Sequence, residues 1–212
     1  MKKVTVVDYG VGNLLSVRRA FECFGAEVEI TSDGRRIEQA DRVVLPGVGA
    51  FKNGMDGLRQ RGLIVPILRF AELERPFLGI CLGMQMMLES SEEFGSHKGL
   101  GLIPGKVIMI PTQGEDGKRQ KIPFIGWNPL VLPPCRKNWK GTLLRNTLPG
   151  DYFYFVHSFA VDPAREEHRL ADCDYNGVRI SASIIRGALV GCQFHPEKSG
   201  QVGLKVIRNF LC

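Results

Sequence analysis

The chain has 212 residues, of which 44% are hydrophobic, and a formal net charge of +6 at pH 7. This size and composition predict a globular protein, because no run of about 18 apolar residues suits a membrane span and the start lacks the long apolar segment of a secretory signal. Lysines and arginines are scattered rather than clustered with aromatic residues, which argues against nucleic-acid binding and favours a solvated or partner-facing basic surface. Because no export signal is found, we expect a cytoplasmic protein.

The first elements alternate between strand and helix. KVTVVD (3–8) is a predicted strand that ends in the turn YGVGN. Apolar residues then recur at helical spacing over 14–24, and Gly25 ends this helix. AEVEIT (26–31) and ADRVVLPG (40–47) are the second and third predicted strands.

The alternation continues to about residue 93. Residues 52–73 are predicted to be mostly helical, with interruptions near Gly62 and Pro66. RPFLGI (75–80) is a fourth strand, and LGMQMMLESSEE (82–93) is a helix. This β-α-β-α order predicts an α/β protein whose parallel sheet is covered by helices on both faces.

Beyond about Gly99 the pattern changes to short strand-like segments separated by Gly, Pro and Asn, which predicts antiparallel or mixed sheet. These segments are GKVIMIP, KIPFIGW, DYFYFVHSFAV, GVRISASII and ALVGCQFHP. Apolar residues at helical spacing over 202–210 predict a final helix. Because no repeat or linker divides the chain, we expect residues 1–212 to form a single domain with a β-rich C-terminal half.

Cys81 lies between Gly79 and Gly83, where the fourth strand meets a helix. Gly-x-Cys-x-Gly has the form of a nucleophile elbow, in which side chains two residues from the nucleophile would collide. The turn would place the thiol at the carboxyl ends of the strands, beside a helix N-terminus that favours the thiolate. Taken alone, the pattern fits a buried structural cysteine equally well.

A nucleophilic thiol needs a base, and His195 is the best candidate among four histidines. It follows the strand ALVGCQF, so we expect it at the same sheet edge as Cys81. Glu197, two residues further on, could hold the imidazole in one orientation. Alone, His-Pro-Glu could also be an ordinary turn, but the three residues together favour a catalytic triad.

An oxyanion formed at this site would need backbone donors. LPGVGAF (45–51) follows the third strand at the same edge, and its glycines would let N–H groups point into the site. We expect an N–H of Val48 or Gly49, together with that of Leu82, to form an oxyanion hole. A tight turn without function would explain Pro-Gly-x-Gly equally well.

The other histidines and cysteines fit structural roles. His97 and His168 lie in charged segments and are expected to be solvated, whereas His157 is expected to be half-buried and hydrogen-bonded in an aromatic strand. The six cysteines contain no C-x-x-C pair, so we expect no metal site, and we expect no cofactor. Most of these thiols are expected to be small buried hydrophobic groups in a reducing compartment.

PGVGAF, GICLGMQMM and FHPEKS, in this order, resemble the motifs of the class I, or triad, glutamine amidotransferases. DYGVGNL, IGWN and YFVHSF resemble more closely the amidotransferase subunits of imidazole glycerol phosphate synthase, over essentially the whole chain. The resemblance implies a flavodoxin-like α/β fold with a mostly parallel central sheet flanked by helices. One departure is Phe124-Ile125 before GWN, where many members carry a polar residue.

The resemblance also implies roles for the motif residues. Cys81 would attack the side-chain amide of glutamine, His195 would pass a proton to the departing ammonia, and Glu197 would orient His195. Gln85 and the PGVG loop would contact glutamine. The ammonia would enter HisF, the (βα)8 cyclase subunit of a heterodimer that serves histidine biosynthesis.

Four further positions match residues that the family places near the partner and the ammonia exit, namely Asn13, Tyr154, His157 and Lys198. Lys198 could equally be plain surface charge. Three alternatives to the main interpretation stay open: a paralogous subunit that supplies ammonia for amidinating a surface sugar, another Cys-His-Glu hydrolase such as a peptidase, and a non-catalytic relative. The neighbouring genes would distinguish the two pathways, an open substrate cleft would favour another hydrolase, and loss of a triad residue would favour a non-catalytic relative.

Overall fold

Strands and helices alternate through the first half of the chain in a computed structural model that describes residues 2–212. Residue 1 of the predicted domain lies outside this range. The strands are β1 (Lys3–Val7), β2 (Glu27–Thr31), β3 (Val43–Gly47), β4 (Phe77–Cys81), β5 (Ser90–Ser91), β6 (His97–Lys98), β7 (Gly105–Met109), β8 (Phe124–Pro129), β9 (Tyr152–His157), β10 (Phe159–Pro163), β11 (Arg169–Tyr175), β12 (Val178–Arg186) and β13 (Leu189–Cys192). The helices are α1 (Leu14–Glu22), α2 (Gly34–Glu38), α3 (Phe51–Gln60), α4 (Ile64–Glu72), α5 (Leu82–Met86) and α6 (Gly200–Leu211).

One large mixed sheet runs in the order β2-β1-β3-β4-β13-β12-β10-β7-β5-β6, with β11 paired to β12. The strands from β2 to β13 are parallel, and β13, β12, β10 and β7 continue the sheet in antiparallel fashion. β8 and β9 form a separate antiparallel pair. The predicted α/β class and the mixed second half are therefore confirmed, although both halves share one sheet.

Apolar residues cover both faces of the sheet, because successive side chains of a strand point to opposite sides. On β1, Val4 and Val6 join the hydrophobic cluster under α1 and α6, whereas Val7 joins the cluster under α3 and α4. β3 and β4 lie between these layers and are buried at every position. This explains their continuous apolar sequences.

The parallel arrangement brings several strand ends to one edge. In the register, Gly47 of β3 lies beside Cys81 of β4, and Cys192 of β13 lies beside Ile80. The segments that leave β3, β4 and β13 therefore begin next to one another. This edge carries the candidate site.

Some predicted elements differ from the structure. The helix predicted over 82–93 ends at Met86, and Ser90–Ser91 within the predicted range form strand β5 instead. Pro66 does not interrupt a helix but lies in the first turn of α4, where its missing N–H removes no helical hydrogen bond. The strand predicted over DYFYFVHSFAV is two strands, β9 and β10, which belong to different sheets.

Helix α2 and strands β6 and β11 were not predicted. Helix α2 is a short helix capped by the side chain of Asp33, which accepts a hydrogen bond from the Arg35 N–H at 2.8 Å. Strand β11 pairs with β12 in antiparallel fashion. No helix in the described part of the chain is both long and apolar enough to cross a membrane.

Candidate active site

Cys81 ends strand β4 in a strained backbone conformation, with φ 54° and ψ −112°. A Cβ atom at Gly83 would overlap the carbonyl oxygen of Leu45 on the neighbouring strand. A Cβ atom at Gly79 would lie 2.8 Å from the backbone nitrogen of Met84. Both glycines are thus required by close backbone approach, as the elbow motif predicts.

The elbow places the sulfur at the start of helix α5, where no side chain caps the helix. Cys81 is 7% exposed. The unpaired N–H groups of a first helical turn carry partial positive charge, which favours a thiolate at this position.

His195 follows β13, and hydrogen bonds to both its backbone N–H and its backbone carbonyl fix its position. Its N–H donates to the carbonyl of Tyr154 at 3.0 Å, and its own carbonyl accepts from the Ser199 hydroxyl at 2.7 Å. The ring Nδ1 lies 2.8 Å from Oε1 of Glu197, and both side chains are almost completely buried. Because a carboxylate only accepts, Nδ1 carries the proton, and this orients Nε2 as the reactive nitrogen.

The charge state of His195 follows from its neighbours. Burial alone lowers the pKa of His195, but the Cys81 sulfur and the Glu197 carboxylate more than offset this and raise it to about 9. At neutral pH the imidazole of His195 is therefore protonated. His195 Nε2 is buried and has no hydrogen-bond partner within residues 2–212, so it is free to exchange a proton with a reacting group.

Cys81 and His195 both line a cleft of about 370 Å³. Its other lining residues are Val48, Gly49, Leu82, Gln85, Glu93, Pro123, Val156, His157, Ser158 and Phe159. The structure thus brings together every residue predicted for the nucleophile, base, oxyanion hole and substrate contact. The orienting Glu197 lies behind His195.

The oxyanion loop and Gln85 have donors and acceptors available to a ligand. Neither the Val48 nor the Gly49 N–H has an acceptor among the described residues, and Gly49 has φ +97°. Nε2 of Gln85 donates to Phe159 O at 3.0 Å and to Gln193 Oε1 at 3.1 Å. Only the Oε1 atom of Gln85 therefore remains to accept a hydrogen bond in the cleft.

His157 is buried beside His195, as its aromatic surroundings indicate, and is less exposed than predicted. Its Nδ1 lies 2.9 Å from the carbonyl of Phe159, so Nδ1 carries the proton and donates. Burial lowers the pKa of His157 to about 4, against the smaller opposing effect of the Phe159 carbonyl. This imidazole is therefore neutral and faces the cleft with an unprotonated Nε2.

The remaining predicted coupling residues lie around the cleft rather than in it. Asn13 caps helix α1 by accepting from the Ser16 N–H at 3.3 Å, at the same sheet edge as Cys81. Lys198 is exposed on the turn that holds Glu197. Tyr154 is half-buried in β9.

Sequence reasoning missed six residues at the site: Glu93, Pro123, Val156, Ser158, Phe159 and Gln193. Glu93 reaches the cleft because its carboxylate accepts from the Phe51 N–H at 2.6 Å, a contact across 42 residues that no local pattern reveals. Gln193 lies level with Cys81 because of the register of β13 against β4, which no local sequence pattern specifies.

Two expectations about other side chains were wrong. His168 is buried rather than solvated, and the 3-10 turn Glu166–His168 that carries it lies against β12. Burial lowers the pKa of His168. Cys23, Cys135 and Cys212 are exposed at helix ends or in a loop, so only half of the six thiols are buried, whereas most were predicted to be buried. His97 is half-buried.

The chain is similar to known proteins along its full length. The family model Glutamine amidotransferase class-I matches residues 5–212. Imidazole glycerol phosphate synthase subunit HisH 1 of Legionella pneumophila (strain Lens) is 54% identical, with 100% of this chain and 99% of the relative covered. The HisH subunit of Geobacter sulfurreducens is 44% identical, with 99% and 98% covered.

Solved structures support the fold. The structure of PurLQS from Thermotoga maritima aligns with a TM-score of 0.73 at 22% identity, covering 100% of this chain and 98% of the other. A crystal structure of glutamine amidotransferase aligns with a TM-score of 0.72 at 16% identity, covering 98% and 96%. From the family match and the full-length relatives together, the chain belongs to the class I glutamine amidotransferases and, within them, to the family of imidazole glycerol phosphate synthase HisH subunits.

Proposed function

We propose that residues 1–212 form one glutamine amidotransferase domain that acts as the glutaminase subunit of an imidazole glycerol phosphate synthase. The domain releases ammonia from the side chain of glutamine and passes it to a (βα)8 cyclase subunit of the HisF type for histidine biosynthesis. One observation carries the proposal: Cys81, His195 and Glu197 converge at one sheet edge. There the Glu197 carboxylate orients the imidazole of His195, and the pKa of His195 is raised. A cytoplasmic location remains a prediction.

In the first half of the reaction, the Cys81 thiolate attacks the side-chain carbonyl carbon of glutamine. A C–S bond forms, and the carbonyl oxygen becomes an oxyanion that accepts from the N–H of Leu82 and from Val48 or Gly49. The C–N bond then breaks, and its electron pair takes the proton of His195 Nε2. Ammonia leaves, and a glutamyl thioester remains on Cys81.

In the second half, a water molecule attacks the thioester while His195 Nε2 accepts its proton. The C–S bond breaks, glutamate leaves, and the thiolate and imidazolium are restored. Glu197 stabilises the imidazolium in both halves, because its carboxylate is buried 2.8 Å from Nδ1. Removing a single oxyanion donor typically costs about 3 kcal/mol, which shows how strongly such a site depends on its backbone.

Two groups in the cleft suit the amino-acid end of glutamine. The Glu93 carboxylate lies at the cleft together with the nucleophile, where it can pair with the α-ammonium group. The Oε1 of Gln85 can accept a hydrogen bond from the substrate, since the amide nitrogen of Gln85 is used inside the protein.

A partner surface lies beside the cleft on β8 and β9. Ile125 pairs with Val156 and Trp127 pairs with Tyr154, so these four side chains share one face. Ile125 and Trp127 are 55% and 53% exposed. Because Val156 also lines the cleft, a partner on this apolar face would cover the cleft mouth and receive ammonia without its release into solvent.

The same face is connected to the catalytic base. The rings of Trp127 and Tyr154 are 5.9 Å apart, and the Tyr154 carbonyl accepts from the His195 N–H. The Tyr154 N–H donates to the hydroxyl of Ser199 at 3.0 Å. Docking that shifts β9 would therefore move His195, which supports Tyr154 as a coupling residue; Lys198, Asn13 and His157 remain coupling candidates on position alone.

The test uses the chain in complex with a HisF cyclase subunit. Cys81→Ala should abolish synthesis of imidazole glycerol phosphate from glutamine, whereas synthesis from added ammonium should persist. The ammonium reaction controls for folding and assembly, because it needs only the intact complex. Normal glutamine-dependent synthesis by the variant would refute the proposal.

A further inference from the structure

Gln193 places an amide group directly against the nucleophile. It follows β13, and the parallel register between β13 and β4 brings it level with Cys81. Its Nε2 lies 3.6 Å from the Cys81 sulfur, within hydrogen-bond distance for sulfur, and its side chain is completely buried. The triad chemistry described above assigns this residue no role.

The orientation of the amide is fixed by a chain of hydrogen bonds that ends on a backbone carbonyl. Phe159 O can only accept, so the nitrogen of Gln85 must face it. The same nitrogen donates to Gln193 Oε1, which leaves Nε2 of Gln193 to face the sulfur. A flip of either amide would oppose two acceptors in a buried site, which is costly.

We infer that Gln193 is a positioning residue for the Cys81 thiolate, to which it donates a hydrogen bond, and that Gln85 fixes the direction of this bond. The inference rests on the proposed glutaminase function, because the thiolate it concerns is the nucleophile of that reaction. Because Cys81 is only 7% exposed, few water molecules can stabilise a charge on its sulfur. A fixed N–H supplies that stabilisation and holds the sulfur in one rotamer, aimed into the cleft.

This role separates two functions of Gln85. Its nitrogen belongs to the buried chain that orders Gln193, whereas its oxygen remains available to substrate. Loss of Gln85 should therefore disturb the thiolate even when no glutamine is present. A role in substrate binding alone would leave the free enzyme unaffected.

The experiment measures the rate at which iodoacetamide alkylates Cys81 in the full chain as a function of pH, read by mass spectrometry of the Cys81 peptide. The exposed Cys135 serves as an internal reference in each sample. Gln193→Met keeps most of the side-chain length but removes the donor. The pH of half-maximal alkylation should rise by about one unit, as expected for loss of one hydrogen bond to a charged group.

Two further variants sharpen the test. Gln193→Glu keeps the shape of the side chain but places an anion, instead of a hydrogen-bond donor, against the sulfur. Its midpoint, the pH of half-maximal alkylation, should therefore rise further than that of Gln193→Met. Gln85→Met should give a smaller rise, because Gln193 is then free to rotate. Should Gln193→Met fail to fold, Gln193→Glu and Gln85→Met still decide the question.

Ser183→Ala is the matched control. Its buried hydroxyl donates to Gly191 O at 2.6 Å on the strand that precedes Gln193, but it does not touch Cys81. Its midpoint should equal that of the wild type. Unchanged midpoints in the Gln193 and Gln85 variants, or an equal rise in Ser183→Ala, would overturn the inference while the Cys81→Ala experiment still decides the glutaminase function.

Discussion

Replacing Glu197 by Gln tests whether the Glu197 carboxylate raises the pKa of His195, the proposed catalytic base. The substitution keeps the size of the side chain but removes the negative charge 2.8 Å from Nδ1 of His195. Both side chains are at most 3% exposed, so the lost interaction is a buried charge-assisted hydrogen bond of about 1.5–3 kcal/mol. This corresponds to a fall of about one to two units in the pKa of His195, from about 9 in the wild type.

The sign of the pH effect follows directly. The imidazolium must be present to protonate the departing ammonia, so activity falls as pH rises through the pKa of His195. In Glu197→Gln the alkaline limb of kcat/KM should therefore move to lower pH by about one to two units. The assay is glutamine hydrolysis by the complex with its cyclase between about pH 6 and pH 10, a window that brackets both values.

The wild-type to variant activity ratio should grow as the pH rises from the lowered pKa of the variant to about 9, the pKa of His195 in the wild type, and should then level off. Ser199→Ala is a suitable control, because it loosens the turn at the His195 carbonyl without removing charge. It should lower the rate and leave the alkaline limb in place. A Glu197→Gln profile that is lower than wild type by one constant factor at every pH would refute the electrostatic account.

Three further changes test separate parts of the structure. Glu93→Gln should raise KM for glutamine about tenfold or more and change kcat little, as measured by steady-state kinetics of the complex. The new amide can still accept from the Phe51 N–H, but it no longer pairs with the α-ammonium group of glutamine. An unchanged KM would contradict this contact. Gly83→Ala should destabilise the fold by about 3 kcal/mol or more in urea unfolding, since its Cβ overlaps a backbone carbonyl, whereas Gly187→Ala, which meets open space at φ +58°, should cost about 1 kcal/mol. Equal costs would be incompatible with this geometry. His157, whose pKa falls from 6.5 to about 4 on folding, makes stability decline as pH drops below about 6.5, because the unfolded chain then binds a proton that the folded chain does not. In His157→Gln the loss of unfolding free energy between about pH 7 and pH 5 should be smaller by about 2 kcal/mol, and an identical loss would argue that His157 is not buried in the neutral form.

Local patterns were sufficient to predict where the proposed nucleophile, Cys81, and its proposed base, His195, lie in the fold. The strand–glycine–cysteine–glycine–helix sequence forces one backbone geometry, because any larger residue at positions 79 or 83 meets backbone atoms. Parallel strands also share one carboxyl edge, so the strand pattern was enough to predict that Cys81 and His195 lie together, and the register agrees.

The short elements and loops were less predictable. Residues 87–93 have the composition of a helix, but the chain leaves α5 after Met86 and pairs Ser90 and Ser91 with β6 and β7. Pairing with distant strands outweighs a helix propensity worth only tenths of a kcal/mol per residue. His168 is likewise buried, on a turn that lies against β12, although its neighbours in sequence are charged.

The sequence by itself determined the order of most elements, the elbow at Cys81 and the location of the triad at one sheet edge, because each depends on backbone sterics or on hydrophobic periodicity within a few residues. Only the tertiary structure decided that Gln193 contacts the sulfur, that Phe159 fixes the amide of Gln85, and that Glu93 enters the cleft. These contacts join residues 42 to 112 positions apart. They depend on strand register and loop closure, which are set by the packing of the whole chain rather than by any local stretch of it.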